Sequence, residues 1–229
     1  MRFPRAHEGV KLILIAEIIA GIEIVLLPVC SFALQPVMAD TDGPLGVKAL
    51  AILGVFAAGL LGICSLVLLF VGLHKAGTDE QRFQNAMTCA IVSICVGIVL
   101  GVCLGLAVSF AVLLADDAAL SSKLTSLMAG LITVVSCVLS CGIMHYIASG
   151  VRNLARKLGD ESMAAGCSRF QRTIAVLYGL TVLIGVAFAL TRSGGTFNTW
   201  LSVLSPAVSM ASVIVILVFL SNAKDMLAQ

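Results

Sequence analysis

Two glutamates stand where a carboxylate is hardest to keep. Glu17 and Glu23 interrupt an otherwise apolar run, residues 12–39, which follows Arg2, Arg5 and Lys11. If the run enters an apolar layer at Leu12, a helical rise of about 1.5 Å per residue puts Glu17 roughly 8 Å deep and Glu23 roughly 17 Å deep. Glu23 is then near the centre of a bilayer, where an ionised carboxylate is costly and an acid is functional by default. No Lys or Arg lies at that depth to pair with it. Glu23 is therefore expected to hold a proton, to face a wet cavity or to bind a cation, which is the chemistry of transport. At about 100° per residue the two acids point roughly 120° apart, so they do not share one face. Pro28 and Pro36 follow in the same run. Each lacks an amide donor and so frees a carbonyl that could act as a ligand. A second polar feature completes the candidate substrate or cation site. Ser202, Ser205, Ser209 and Ser212 follow a 3-4-3 spacing around Pro206 and form one hydroxyl stripe. The plainer reading of that stripe is that each serine bonds its own i−4 carbonyl.

Other reactive residues carry no pattern. The eight cysteines include no C-x-x-C pair; seven fall in apolar runs and Cys167 in the basic segment 152–172. A buried cysteine behaves as a small hydrophobe, and a metal site wants several Cys or His converging. His7, His74 and His145 are the only histidines. There is no H-E-x-x-H, no G-x-S-x-G and no phosphate-cradling glycine loop. The sequence thus offers no catalytic residue, no metal ligand set and no cofactor, and the chain is not expected to be an enzyme.

The elements that must hold the two glutamates follow from composition. The chain has 229 residues, of which 60% are hydrophobic and 11% charged, with a mean hydropathy of +1.11. A soluble domain carries about 25% charged residues, so a soluble enzyme, a nucleic-acid binder and a disordered chain are excluded together. Uncharged runs cover residues 12–39 (apart from the glutamates), 49–73, 83–115, 124–151, 173–191 and 193–223. Each reaches the roughly 17–25 residues that a helix needs to cross a bilayer. Backbone groups in lipid must bond within their own segment, so the runs are helices. The expected fold is an all-α integral membrane protein with six transmembrane helices, forming one polytopic domain over residues 1–229.

Orientation follows from Lys and Arg. With the N-terminus in the cytoplasm, eleven of the fourteen cations lie inside, and only Lys48, Lys123 and Arg192 lie outside. The positive-inside rule then places both termini in the cytoplasm of a multi-pass cell-membrane protein. The first run exceeds the 7–15 apolar residues of a secretory signal, so it is expected to stay as a span.

An internal repeat orders the runs. Arg2-Phe3-Pro4-Arg5-Ala6, Arg82-Phe83-Gln84-Asn85-Ala86 and Arg169-Phe170-Gln171-Arg172-Thr173 open the odd runs, at separations of 80 and 87 residues. The even runs close on Leu73-His74-Lys75-Ala76, Val151-Arg152-Asn153-Leu154-Ala155 and Leu220-Ser221-Asn222-Ala223. Three tandem helical hairpins are expected, at about 2–77, 82–158 and 169–226. Neither later copy keeps an acid at the register of Glu17 or Glu23, so the glutamates belong to the first hairpin alone.

Packing has its own signature. Cys89, Ser93, Gly97, Gly101, Gly105 and Ser109 recur every four residues in the third run. Such a stripe lets helix backbones approach closely, and the expectation is that it packs against another helix of the same chain, with the third helix central. Ala16-x-x-x-Ala20 is too common a pattern in membrane helices to identify a family. Two functions remain: a small transporter or membrane-embedded transport subunit that uses Glu23, or a non-catalytic module that packs against other membrane proteins or senses lipid. The basic segment 152–172 would attract anionic headgroups. A polar cavity at Glu23 favours the first, an exposed small-residue face the second. Expected partners are the lipid bilayer, other membrane subunits and an unidentified small molecule or ion, with no nucleic acid.

Overall fold

The computed structural model describes the backbone of residues 3–39, 45–115, 118–190 and 196–228. Side chains are described for 3–26, 53, 54, 56–107, 109, 110, 128, 130–187 and 204–228. All described secondary structure is helical: α1 (Pro4–Ala39), α2 (Leu45–Gly77), α3 (Gln81–Ala115), α4 (Ala118–Leu158), α5 (Glu161–Leu190) and α6 (Thr196–Ala228). Five of these contain segments long and apolar enough to cross a membrane, namely Phe56–Gly77, Gln81–Ala107, Gly130–Leu158, Glu161–Ala187 and Leu204–Ala228. The described part of α1 carries Glu8, Lys11, Glu17 and Glu23 and is not among them. Large apolar side chains stand exposed along the spans; Ile98 on α3 is 62% exposed and Leu183 on α5 is 67% exposed. Exposure on this scale suits hydrocarbon, not water.

Helix ends are set by local chemistry. Pro4 takes the first helical position of α1, where its missing N–H costs nothing, and His7 N donates to Phe3 O at 3.0 Å. α4 closes on Gly159, whose φ of +81° places it in the left-handed region. Gly159 N donates to Arg156 O at 3.2 Å and Asp160 N to Ala155 O at 2.9 Å, the paired bonds of a Schellman motif. Asp160 then caps α5, its Oδ1 accepting from Met163 N at 2.9 Å and from the Ser162 hydroxyl at 2.7 Å. The basic segment 152–172 is therefore a tight corner between two helices and not a loop. Cys167, in this basic segment, lies within α5 and is fully buried.

The chain forms two compact units, Met1–Asp79 with Val213–Gln229, and Glu80–Ser212. The division falls inside α6, at neither end of the third expected hairpin. In the first unit, α1 and α2 form an antiparallel pair. Gly9, Ile13, Ala16, Ala20 and Glu23 share one face of α1 at 4-3-4-3 spacing, and α2 offers Ala58, Gly62, Ser65, Leu69, Gly72 and Ala76. The backbones meet at two glycines. A Cβ on Gly9 would lie 2.5 Å from Gly72 O and 2.6 Å from Ala76 N, and one on Gly72 would lie 2.8 Å from Gly9 O. Val10, Ile13, Leu73 and Ala76 are fully buried beside them.

In the second unit α4 is the central helix, packing on α3 and on α5. Phe83, 0% exposed, lies against Gly150, where a Cβ would come within 2.8 Å of its ring. Cys89 Sγ donates to Leu139 O at 3.7 Å. On the other side Gln171 Nε2 donates to His145 O at 3.2 Å and to Ser149 Oγ at 3.1 Å, and Thr133 fills the space over Gly185. The expectation that α3 is central is thus corrected. Beyond Cys89 its stripe is open: Gly97, Gly101 and Gly105 are exposed, nothing lies within 4 Å of a Cβ built on them, and Ser93 is half-buried. α3 still packs on α4, but through a different face: beyond Cys89, Val96, Leu100 and Leu104 are half-buried while the glycines between them are exposed.

Candidate functional site

Glu23 lies on the α1 face that packs on α2. The last turns of that interface are lined by small groups: Ala16, whose carbonyl accepts from the Ser65 hydroxyl at 2.9 Å, then Gly62 and buried Ala58. The Glu23 carboxylate rests over Gly62; a Cβ there would lie 2.9 Å from Oε1, 3.0 Å from Oε2 and 3.2 Å from Cδ. Gly62 thereby supplies the space that the acid fills. Glu23 is half-buried, and among the described residues no cation pairs with it. A carboxylate so placed can exchange a proton or accept a cation without first breaking an ion pair.

Glu17 is also half-buried but sits on a different face. One turn on, Gly21 packs against the last part of α6, where a Cβ would lie 3.0 Å from Val213 Cγ1. The two acids lie about 120° apart on α1 and do not form a carboxylate pair. α1 stays helical through Pro28 and Pro36; their side chains lie outside the described residues, as does that of Ser202. Ser205 and Ser209 are half-buried on α6 and belong to the second unit. Ser212 is buried and donates to Val208 O at 3.0 Å, the bond to its own helix that a serine makes by default. Val208 packs with Ile184, Leu177 and Ala187 in an apolar cluster.

Sequence reasoning missed the charge chemistry at the helix ends. Asp79 Oδ2 accepts from Ala6 N at 2.7 Å, satisfying an amide that the first turn of α1 leaves without a partner. Lys75 Nζ meets Glu8 Oε2 at 2.8 Å, joining the end of α2 to the start of α1. In the second unit Glu80 accepts from Lys157 Nζ at 2.7 Å and from Asn153 Nδ2 at 3.0 Å, with its side chain only 10% exposed. Burial works against the Glu80 carboxylate, yet the Lys157 and Asn153 hydrogen bonds and the Lys157 charge hold it below the usual glutamate range. Lys75 does the same for Glu8, chiefly through its hydrogen bond. The recurring Asp-Glu pairs at 79–80 and 160–161 were the available signal. Their partners lie 73 or more residues away in the first case, so spacing alone does not reveal them.

Among the described residues no three His, Cys, Asp or Glu side chains gather to hold a metal ion. His145 is exposed and stacks edge-on with Tyr146 at 6.1 Å between ring centroids. No protein-family model, curated protein or solved structure matches this chain.

Proposed function

We propose that the protein is a membrane-embedded transport subunit in which Glu23 binds the proton or cation that is moved or coupled. The observation that carries this reading is the Glu23 carboxylate resting over Gly62 at a helix–helix contact, with no cationic partner among the described residues. An acid at such depth is retained for function more often than for stability. In this reading α1 is the sixth span, both termini are cytoplasmic and the chain is three tandem hairpins. Gly72 and Gly150 precede the closing patterns of their runs alike, and each lies against the entry helix of its own hairpin, Gly72 at Gly9 and Gly150 at Phe83. The open glycines of α3 support a subunit that works beside another membrane protein.

The test is proton or sodium flux into proteoliposomes under an imposed gradient, wild type beside Glu23→Gln. Flux that is lost in Glu23→Gln at an unchanged thermal midpoint is the expected result. Equal flux in both proteins, or none in either, removes Glu23 from the mechanism. The second reading, a non-catalytic module that packs against other membrane proteins, is favoured by the exposed face of α3 at Gly97, Gly101 and Gly105.

A further inference from the structure

The corner between α4 and α5 carries an open cavity of about 360 Å³. Arg152 and Arg156 enter it from one face of α4, while Glu161, Ala164, Ala165 and Ser168 line it from one face of α5. Ala164 and Ala165 are the small residues of its α5 side, and Arg152 and Arg156 the cations of its α4 side. The Schellman turn at Gly159 and the Asp160 cap fix this geometry at one end.

The lining is unbalanced in its hydrogen bonding. A guanidinium is always charged and carries five donors with no acceptor. Arg152 Nε is buried and has no hydrogen-bond partner, a condition that costs free energy comparable to a lost hydrogen bond. Among the described residues neither Arg152 nor Arg156 forms an ion pair with a carboxylate. Two neighbouring anions are engaged elsewhere, Glu80 with Lys157 and Asn153 and Asp160 with the first turn of α5, while Glu161 lines the cavity without pairing with either arginine. The Ser168 hydroxyl already donates to Ala165 O at 2.8 Å, so it can only accept. All free donors in the cavity therefore belong to the two arginines, one helical turn apart.

We propose that this cavity is a binding site for a single phosphate oxyanion, held by Arg152 and Arg156. Planar guanidinium forks match phosphate oxygens two at a time. With two guanidiniums and the Glu161 carboxylate, the lining carries one net positive charge, which balances a phosphodiester monoanion better than a doubly charged monoester. The headgroup of an anionic phospholipid and free phosphate share this chemistry. The site depends on neither Glu23 nor transport.

The experiment uses the detergent-purified full chain. One arm titrates micelles doped with phosphatidylglycerol, against phosphatidylcholine as the uncharged control. The other arm titrates inorganic phosphate against chloride at matched ionic strength. Thermal midpoint reports binding in both, since a ligand that binds only the folded state raises it by mass action. The wild type should be stabilised in at least one arm, and Arg152→Gln with Arg156→Gln should weaken the apparent affinity by about tenfold or more. Arg82→Gln, an exposed arginine outside the cavity, should change nothing. Stabilisation in the lipid arm alone assigns the site to a headgroup, and stabilisation by phosphate alone assigns it to a soluble ligand. Because Arg152 is half-buried and its replacement also removes packing, Arg156→Gln and Glu161→Gln are read separately. The first should weaken binding, and the second should strengthen it toward the doubly charged form of inorganic phosphate. No stabilisation of the wild type in either arm, or equal loss in Arg82→Gln, overturns the proposal.

Discussion

The Glu23 carboxylate fills the space that Gly62 leaves on α2, with both of its oxygens within 3.0 Å of where a Cβ would stand. The pair couples an acid on one helix to the absence of a side chain on its neighbour. A substitution at either position must act on the other.

That coupling gives an ordering of glycine substitutions. Gly62→Ala meets the far end of a flexible side chain, which can swing aside, whereas Gly9→Ala meets the backbone of Gly72 and Ala76 at 2.5–2.6 Å. Gly9→Ala should destabilise by the roughly 1–3 kcal/mol of overpacking, or more, and Gly62→Ala by less. Gly62→Ala should also be non-additive with Glu23→Gln, because contacting residues couple. Thermal midpoints of wild type, Gly9→Ala, Gly62→Ala, Glu23→Gln and the Gly62→Ala/Glu23→Gln double variant in one detergent check this. Equal losses at Gly9 and Gly62 would contradict the packing of α1 on α2.

The glycines of α3 should behave differently. Gly101 has nothing within 4 Å of its missing Cβ, while Gly150 lies 2.8 Å from the Phe83 ring. Gly101→Leu should leave the stability of the isolated chain within about 0.5 kcal/mol, as for surface substitutions generally. Gly150→Leu should lower it measurably. A large loss in Gly101→Leu would show that the stripe has a neighbour in the folded chain.

Asp79 caps α1 from a distance in sequence. Its carboxylate satisfies the Ala6 amide and places negative charge at the positive end of the helix dipole. Asp79→Ala should cost about 1 kcal/mol, the usual value of a lost N-cap. Faster hydrogen exchange at the Ala6 amide in Asp79→Ala, with exchange near Glu80 unchanged, is the expected signature.

Acid should weaken the ends of the helices before their middles. Glu8 is held below its ordinary value by Lys75, and Asp160 by the Met163 amide and the Ser162 hydroxyl. Glu80, although burial opposes it, is held down by Lys157 and Asn153. A carboxyl whose folded value is depressed contributes stability that is complete above its unfolded value and is lost as pH falls through the folded one. The loss should therefore begin as pH drops below about 4.5 for the glutamates and continue to lower pH for Asp160. Thermal midpoints of wild type and Glu80→Gln between pH 7 and about 3 test the sign, since the variant should lose less on acidification. Parallel profiles would mean that Glu80 contributes nothing through its charge.

The class of this protein and the run of its helices were set by composition alone. Partition between lipid and water is a sum over local residues, so 60% hydrophobic residues and scarce charge were enough to make the chain helical and membrane-spanning. The 120° between Glu17 and Glu23 likewise followed from helical geometry. What the sequence did not mark was which face of each helix meets which neighbour. A soluble helix advertises its buried face by polarity, but these helices are apolar nearly all round, and lipid-facing and protein-facing residues look alike. The four-residue stripe on α3 therefore looked like a packing face and is open, while Gly9 and Gly72, which carry no such stripe, bring two backbones together. The Asp79–Ala6 and Glu80–Asn153 bonds join residues 73 apart. Only the folded chain, by laying the end of one helix beside the start of another, decided that those carboxylates had amide partners.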